Sequence, residues 1–577
     1  NEGLRPLLRD EGGDQTPSST PVEQQNREPG IRRWGAVIPV EEAVGKVVDG
    51  DVVAVSGFNM ATTPEYLILE LYKRYQQTGH PKDLFVECDA LPAIPGRAFD
   101  LVAKRLCETK DFGFLRGISV PYMGFSPWLQ KITVDNSVEV YSWPLGVAAN
   151  WFREVATGRP GVISRIGVET AVDPREDGGR MNQLAVERGT CKVKGIVLDG
   201  EEYLLYEAPK PAVALIRAST ADPIGNLTME DEVITGTVLS IAQAVKAHPN
   251  PGTVIGQVRH LGQERSGPRT VQVPGPCVDY VVVSPNAFHW QVGSTVYDPA
   301  FSYTSRVAPR VPEQVPIEPD RLVMARRLLL EFIRVVKVKG TQIAVNLGIG
   351  IPALVSRLAL EEGVSDFVVG VLESGQWGGL ALTGVDFGAA MGPFALSSLP
   401  DTFTNFEGGS IDAASLGFMQ VGKNGDVNPS TLPGTVLGPG GFPVIAGGSP
   451  RIYFAGSFTA GKRRVGIKGG QLTIEQEGDV AKFVNNVYKN FFSGNQALKS
   501  GKEVKYITER AVFEFTDRGL VLTEVAPGVD VDRDVLGRME FKPSVAPSLG
   551  QMDARIFQTG SMQVARELVW APSRRSA

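Results

Sequence analysis

The clearest hydrophobic pattern in the chain is an apolar run that stops at a single carboxylate. Residues 366–372 are rich in Val and end in Leu372, and Glu373 follows directly, ahead of Gly375, Gly378 and Gly379. A short β-branched run of this kind predicts a buried parallel strand. Because an ionised glutamate is costly to bury, we expect Glu373 at the open carboxyl end of that strand, where ligands bind in α/β sheets.

A strand, a glycine-containing turn and a helix that starts at proline occur twice in the same order. The two copies are residues 51–59 with Pro64 and residues 340–351 with Pro352. A second pattern, a strand that runs into a tight Gly turn, also occurs twice, at residues 213–227 and 414–428. The chain therefore predicts an α/β fold of two related domains in tandem.

Changes in composition along the chain predict the domain boundaries. Residues 1–33 are polar and lack apolar periodicity, so we expect a disordered extension. The first domain is expected at 34–306, a proline-rich extended connector at 307–320 and the second domain at 321–570. The second domain should open with an amphipathic helix, because its apolar residues recur at helical spacing: Leu322, Ala325, Leu329, Phe332 and Val336.

The overall composition narrows the function classes. The 577 residues carry a net charge of -6 without a long run of either sign, which argues against a nucleic-acid partner. No apolar run approaches the roughly 18 residues of a membrane span. Neither the four cysteines nor the four histidines have metal-ligand spacing, so we expect no metal. The separated cysteines fit a reducing compartment.

The segment from Glu373 to Gly379 carries a family resemblance. For an isolated Glu-x-Gly, a surface glutamate capping a strand-to-turn junction is the simpler interpretation. The full Glu-Ser-Gly-x-x-Gly-Gly, however, resembles the active-site segment of class I coenzyme A transferases, of the acetate/propionate CoA-transferase group. The resemblance implies two related α/β domains with mostly parallel sheets flanked by helices. It also implies that Glu373 is the nucleophile, carrying first an acyl anhydride and then a CoA thioester.

Three further glycine segments of the second half match this family in order: residues 346–352, 406–412 and 438–442. Each could be turn chemistry alone, since clustered glycines are common in turns. Under the resemblance they line the substrate cleft. It implies oxyanion or substrate binding by Gly348, Gly350, Gly440 and Gly441, and CoA binding by Asn346, Gly408 and Gly409.

One position departs from the family pattern. The family often has Gln after the Pro at 144, where its amide helps to hold the oxyanion, and this chain has Leu145. Losing one oxyanion donor typically costs roughly 10²- to 10³-fold in rate. Either a neighbouring donor such as Gln376 or Asn59 compensates, or the enzyme is slower or acts on a different acyl group, or the family's Gln aligns with another position of this chain. Gln376 is the substitute donor that we expect, against the alternative of an exposed turn residue. Lys462 is a candidate contact for CoA phosphates, against the alternative of a solvated surface.

The resemblance implies a ping-pong CoA-transferase acting on short-chain acyl-CoA and free carboxylic acids. CoA would be a substrate, with no permanently bound cofactor. Two alternatives stay open at this point: an acyl-CoA hydrolase on the same fold, and a catalytically silent protein that binds CoA esters. We further expect a homo-oligomer, no membrane partner, and a cytoplasmic location, or the mitochondrial matrix if the source is eukaryotic.

Overall fold

The computed structural model describes residues 32–302 and 316–570. The predicted disordered extension, apart from its last two residues, and most of the predicted connector lie outside the described residues. Twelve α-helices are present in the described parts of the chain, numbered α1–α12 in order: Val40–Val44, Glu65–Thr78, Phe99–Thr109, Pro127–Val134, Leu145–Ala156, Gln183–Arg188, Val238–Lys246, Pro319–Lys339, Leu354–Glu361, Leu399–Glu407, Phe442–Gly448 and Gly494–Lys499.

The first half is built on an eight-stranded sheet. Its strands, β1–β8 in chain order, are Ala36–Val37, Val52–Val55, Leu84–Cys88, Leu115–Ser119, Glu139–Tyr141, Val213–Arg217, Thr253–Val258 and Tyr280–Val283. The spatial order is β1-β8-β7-β6-β2-β3-β4-β5, and every neighbouring pair is parallel. The central strands are apolar and buried, as expected of a sheet covered on both faces.

The second half is built on a ten-stranded sheet. Its strands, β9–β18, are Ile343–Leu347, Val368–Val371, Gln376–Trp377, Ala395–Leu396, Ala413–Leu416, Arg451–Ala455, Glu503–Ile507, Ala511–Thr516, Gly519–Val525 and Ser544–Gln551. The spatial order is β12-β11-β10-β9-β13-β14-β15-β16-β17-β18. The five strands from β10 to β15 in this order are parallel. Antiparallel pairs follow on either side, and the last pair, β17 with β18, is again parallel. Short accessory strands form smaller sheets and hairpins around both large sheets, including Gly161–Ser164, Lys192–Leu198 and Glu201–Glu207.

The predicted duplication is confirmed by the order of the strands. The first sheet contains β3-β2-β6-β7-β8, and the second contains β10-β9-β13-β14-β15, in the same spatial and sequential order. Two boundaries differ from prediction. The helix α8 begins at Pro319, inside the predicted connector, because proline is tolerated in the first turn of a helix. The helix expected to begin at Pro352 begins at Leu354 instead, after a turn.

A shared apolar core joins the two halves. One cluster of buried side chains includes residues from Ala54 in the first half to Val535 in the second. The helices α5 and α10 meet so closely that a Cβ on Gly146 would lie 2.4 Å from Cδ1 of Phe403. Main-chain hydrogen bonds cross the same interface, including Met123 to Leu437 at 2.7 Å. The two halves therefore pack directly against each other.

Candidate active site

A cavity of 510 Å³ opens where the two halves meet. It lies at the carboxyl ends of β9, β10, β13 and β14, and the first half closes it on the other side. The second half contributes residues within two positions of the ends of those strands: Gly348, Glu373, Gly417 and Gly456. This is the position expected for a ligand site in a parallel sheet.

Glu373 leaves β10 in a turn that requires glycine. The Leu372 amide donates to the Gln376 carbonyl at 2.9 Å, and the Gly375 amide donates to the Leu372 carbonyl at 3.0 Å. Gly375 has a φ of 112°, and a Cβ there would lie 2.1 Å from the Ser397 carbonyl oxygen. The turn therefore projects the carboxylate of Glu373 into the cavity, as the apolar run followed by glycine predicted.

The Glu373 side chain is half-buried in the wall of the cavity. Burial raises the pKa of this carboxyl to about 7. Within the described residues, neither a hydrogen bond nor an ion pair engages its oxygens. A Cβ on Gly441 would lie only 1.9 Å from Oε2, so glycine is what allows the loop to pass beside the carboxylate. The phenol of Tyr122 is close enough for the Glu373 charge to add to the burial that raises the Tyr122 pKa.

The glycine loop at 438–441 reaches across the domain interface. The Gly440 amide donates to the Pro121 carbonyl at 2.9 Å, and the Gly440 carbonyl accepts from the Leu145 amide at 2.8 Å. The Gly440 amide therefore already has a main-chain acceptor, and its expected role in stabilising an oxyanion stays a prediction. The Gly441 amide, by contrast, donates to no acceptor within the described residues, and Gly441 lines the cavity next to Glu373.

In the loop after β9, one glycine amide is likewise bound to a carbonyl and another is free. The Gly348 amide donates to the Ser415 carbonyl at 2.9 Å, so it is not available to a substrate, although Gly348 lines the cavity. Gly350 also lines the cavity, and its amide has no protein acceptor in the described parts of the chain. Asn346 also lines the cavity; its Nδ2 donates to the Val371 carbonyl at 3.0 Å, and its buried Oδ1 has no partner within the described residues.

Four candidates from the sequence lie outside the cavity lining. Gln376 is fully buried, and its Nε2 donates to the Val233 carbonyl at 2.9 Å, so the expectation that it replaces the oxyanion donor missing at Leu145 is wrong. Gly408 and Gly409 terminate α10, with their amides donating to carbonyls of that helix. Lys462 is exposed and does not line the cavity.

Comparison with known proteins identifies the family. Residues 37–284 match the family model described as Coenzyme A transferase. The acetate CoA-transferase YdiF of Escherichia coli K12 is 35% identical over 531 residues, covering 91% of this chain and 96% of YdiF. The chain belongs to the coenzyme A transferase family. A caffeate CoA-transferase of Acetobacterium woodii is also 35% identical to this transferase, over 90% of this chain and 97% of the relative.

Solved structures give the same assignment for the fold of the transferase. The apoenzyme of the YdiF acyl-CoA transferase of Escherichia coli O157:H7 aligns with a TM-score of 0.82 and 33% identity, covering 93% of this chain and 98% of YdiF. A second YdiF structure, described as a thioester complex with CoA, aligns with a TM-score of 0.81. Within the described residues, the transferase has no helix that is both long and apolar enough to cross a membrane.

Cationic side chains of the transferase gather at the far end of the cavity from β10. Arg463 and Lys482 line it near the ends of β13 and β14, where the Lys482 ammonium lies 4.2 Å from the centroid of the Phe418 ring. Arg463 pairs with Asp320 at 2.5 Å. Burial lowers the pKa of Lys482 to about 8, and its ammonium has no hydrogen-bond acceptor within the described residues.

The sequence did not predict Lys482 as a site residue. The segments that the sequence singled out are rich in glycine, whereas Lys482 lies between Ala481 and Phe483 in a short segment without a recognisable motif. No local pattern distinguishes it from the other lysines. Only the packing of that segment beside Gly456 brings its ammonium to the cavity, where a Cβ on Gly456 would lie 3.1 Å from Nζ.

A buried ion pair of the transferase holds the loop that closes the cavity from the first half. Arg217 donates to both oxygens of Glu232, at 3.0 and 2.7 Å, and its NH1 donates to the carbonyls of Met60 and Thr63, at 2.9 and 3.2 Å. The same loop carries Asn59 at a φ of 55°, a left-handed conformation uncommon for a residue with a side chain. The pair thus fixes a strained loop next to the site.

Proposed function

We propose that this transferase moves CoA between a short-chain acyl-CoA and a free carboxylic acid of the acetate or propionate type, through a covalent intermediate on Glu373. The observation that carries the proposal is the Glu373 carboxylate itself. It faces a cavity closed by both halves, next to Gly441, and no described residue competes for its oxygens. A carboxylate that no hydrogen bond or ion pair engages is a more reactive nucleophile than a paired one.

The first half-reaction exchanges one activated acyl bond for another. An oxygen of Glu373 attacks the thioester carbonyl carbon, the C–S bond breaks, and the CoA thiolate leaves behind an acyl-glutamyl anhydride. The thiolate then attacks the glutamyl carbonyl carbon and expels the carboxylate product, which leaves CoA bound to Glu373 as a thioester. A second carboxylate reverses both steps, so neither ATP nor water is consumed.

The free amide of Gly441 is the donor we propose for the oxyanions of these steps. It lies beside the carboxylate that reacts, on a loop fixed at Gly440 by hydrogen bonds to Pro121 and Leu145. A preorganised main-chain donor stabilises charge as it develops without moving. Gly350 is the second candidate, because its amide also has no described acceptor and it lines the cavity.

The cationic end of the cavity indicates how a bound CoA molecule would be oriented. The end of β14 lies three strand spacings from β10, or roughly 14 Å away. CoA carries its thiol and its phosphates at opposite ends of a long arm, so a thioester at Glu373 would direct the phosphates toward Lys482 and Arg463. We expect Lys482→Met to raise the KM for acyl-CoA about tenfold or more, with little change in the KM for the acceptor acid.

A donor and acceptor panel tests the proposed function. Purified protein receives acetyl-, propionyl- or butyryl-CoA, with or without a second carboxylic acid, and new acyl-CoA and free CoA are measured. Transfer requires new acyl-CoA that depends on the acceptor. Release of free CoA at the same rate without acceptor would instead indicate hydrolysis and overturn the proposal. Light scattering of the same preparation tests the expected homo-oligomer.

A further inference from the structure

The side of the cavity that faces Glu373 from the first half has a distinct chemistry. Four aromatic rings form it, and we call them the aromatic wall: Phe58, Tyr122, Phe125 and Phe387. Three of their ring pairs are in contact, with centroids 6.1 Å apart for Phe58 and Phe387, and 6.2 Å apart for Phe125 with Phe387 and for Tyr122 with Phe125. Phe387 comes from the second half, so the wall spans the domain interface.

The rest of this side of the cavity is also apolar. Between the rings lie the buried side chains of Ala90, Leu91 and Leu145. No charged side chain of the first half is among the described residues that line the cavity, and its cations, Arg321, Arg463 and Lys482, all belong to the second half. The cavity therefore has one charged end and one apolar end.

The aromatic wall carries few polar atoms, and one of them is the hydroxyl of Tyr122. The side-chain Nδ2 of Asn59 donates to the Phe387 carbonyl at 2.9 Å, so this side chain is held at the interface between the halves. The wall is also closely packed, because a Cβ on Gly388 would lie 2.2 Å from Cε1 of Phe58. A group that enters here exchanges water for apolar contacts, and the described side chains of the wall offer a negative charge the Tyr122 hydroxyl but no cation.

Glu373 lies between the two ends. The phenol of Tyr122 is close enough to sense the Glu373 charge, so the aromatic wall begins beside the carboxylate, whereas Lys482 lies beyond the ends of β9 and β13. In an acyl-CoA, the thioester carbonyl joins the CoA arm to the acyl group. If the CoA arm extends toward the cations, the acyl group must enter on the side of the aromatic wall.

We propose that the aromatic wall is the acyl pocket of the transferase, and that it favours apolar acyl groups larger than acetyl while it rejects acyl groups with a second carboxylate. This assignment rests on the proposed function, because it requires thioester chemistry at Glu373. Burial of each additional methylene contributes about fourfold to kcat/KM, so butyryl-CoA should exceed acetyl-CoA by about 15-fold. Succinyl-CoA, which would bury an unpaired carboxylate, should fall at least 100-fold below butyryl-CoA.

The test compares kcat/KM for acetyl-, propionyl-, butyryl- and succinyl-CoA with one fixed acceptor acid, and follows the loading of CoA onto the protein by intact mass. The expected order is butyryl, propionyl, acetyl and then succinyl. Equal values for all four donors, or a preference for succinyl-CoA, would overturn the pocket assignment while CoA loading kept the proposed function intact. Absence of CoA loading from every donor would overturn both.

A matched pair of variants separates the acyl end from the CoA end. Leu145→Gln introduces an amide into the apolar end, so it should reduce the ratio of butyryl- to acetyl-CoA activity severalfold. Met419→Ala changes a residue that lines the cavity near the end of β13, on the CoA side, so it should change all donors alike and leave the ratio unaltered. The reverse result would place the acyl group at the cationic end. The wild-type panel remains decisive if either variant does not fold.

Discussion

The pH dependence of the first half-reaction follows from the position of Glu373. Only the ionised carboxyl is a nucleophile, and burial raises its pKa to about 7. The ionised fraction is then about one half at pH 7, about one tenth at pH 6 and about one hundredth at pH 5. A glutamate with the ordinary pKa of about 4.3 would be almost fully ionised at pH 6. The two cases therefore differ by about tenfold in rate at that pH.

The rate should be measured as CoA loading in a single turnover, by rapid quench and intact mass, between pH 5 and pH 9. Acyl-CoA is kept well below its KM, so that the rate reports the ionisation of Glu373 in the free enzyme. We expect a rise of about tenfold per pH unit below pH 6 and a plateau above pH 8. A plateau that extends down to pH 5.5 would show that Glu373 is ionised there, and would refute the claim that its surroundings disfavour its charge.

Three further changes have definite expected results. Gly441→Ala places a methyl group 1.9 Å from Oε2 of Glu373 and should reduce the transfer rate at least 100-fold. Gly195→Ala is the control, because no atom lies within 4 Å of its Cβ, and it should leave the transfer rate unchanged. Equal rates for the two variants would contradict the close contact at Gly441. Glu373→Gln removes the charge of a carboxyl whose pKa the fold raises from 4.5 to about 7, so it should raise the free energy of unfolding by up to about 3 kcal/mol at pH 8. This gain should shrink as the pH falls below 7 and vanish below about pH 4.5. Denaturant unfolding of both proteins at pH 8 and pH 4.5 measures it. Arg217→Met leaves Glu232 buried without its cation and should destabilise the protein by about 3–5 kcal/mol, seen as a lower thermal midpoint; an unchanged midpoint would show that the pair does not hold the loop.

Local signals in the sequence predicted the main features of the fold. The apolar strands, the proline near the start of α2 and the repeated glycine turns are each decided by a few neighbouring residues, which is why the duplication of β2 and β9 was visible. The position of Glu373 followed from the same logic. A buried strand that ends in a carboxylate and glycines leaves the carboxylate at the carboxyl edge of a parallel sheet.

Contacts between distant segments decide the features that the sequence did not predict. Whether a glycine amide is free depends on its partner: Gly440 is bound by Pro121, more than 300 residues away, while Gly441 is not. Gln376 is likewise occupied by Val233 from the other half. Such partners lie far apart in the chain and are chosen by tertiary packing, so a motif shows which residues are near a site and not which atoms are available.

The most direct test of the account is to locate the covalent intermediate. The protein is incubated with acyl-CoA without an acceptor acid, digested under mildly acidic conditions, and the CoA-bearing peptide is sequenced by mass spectrometry. The account predicts CoA on Glu373, and loss of both the adduct and activity in Glu373→Gln. Transfer activity without an adduct, or an adduct on another side chain, would contradict it.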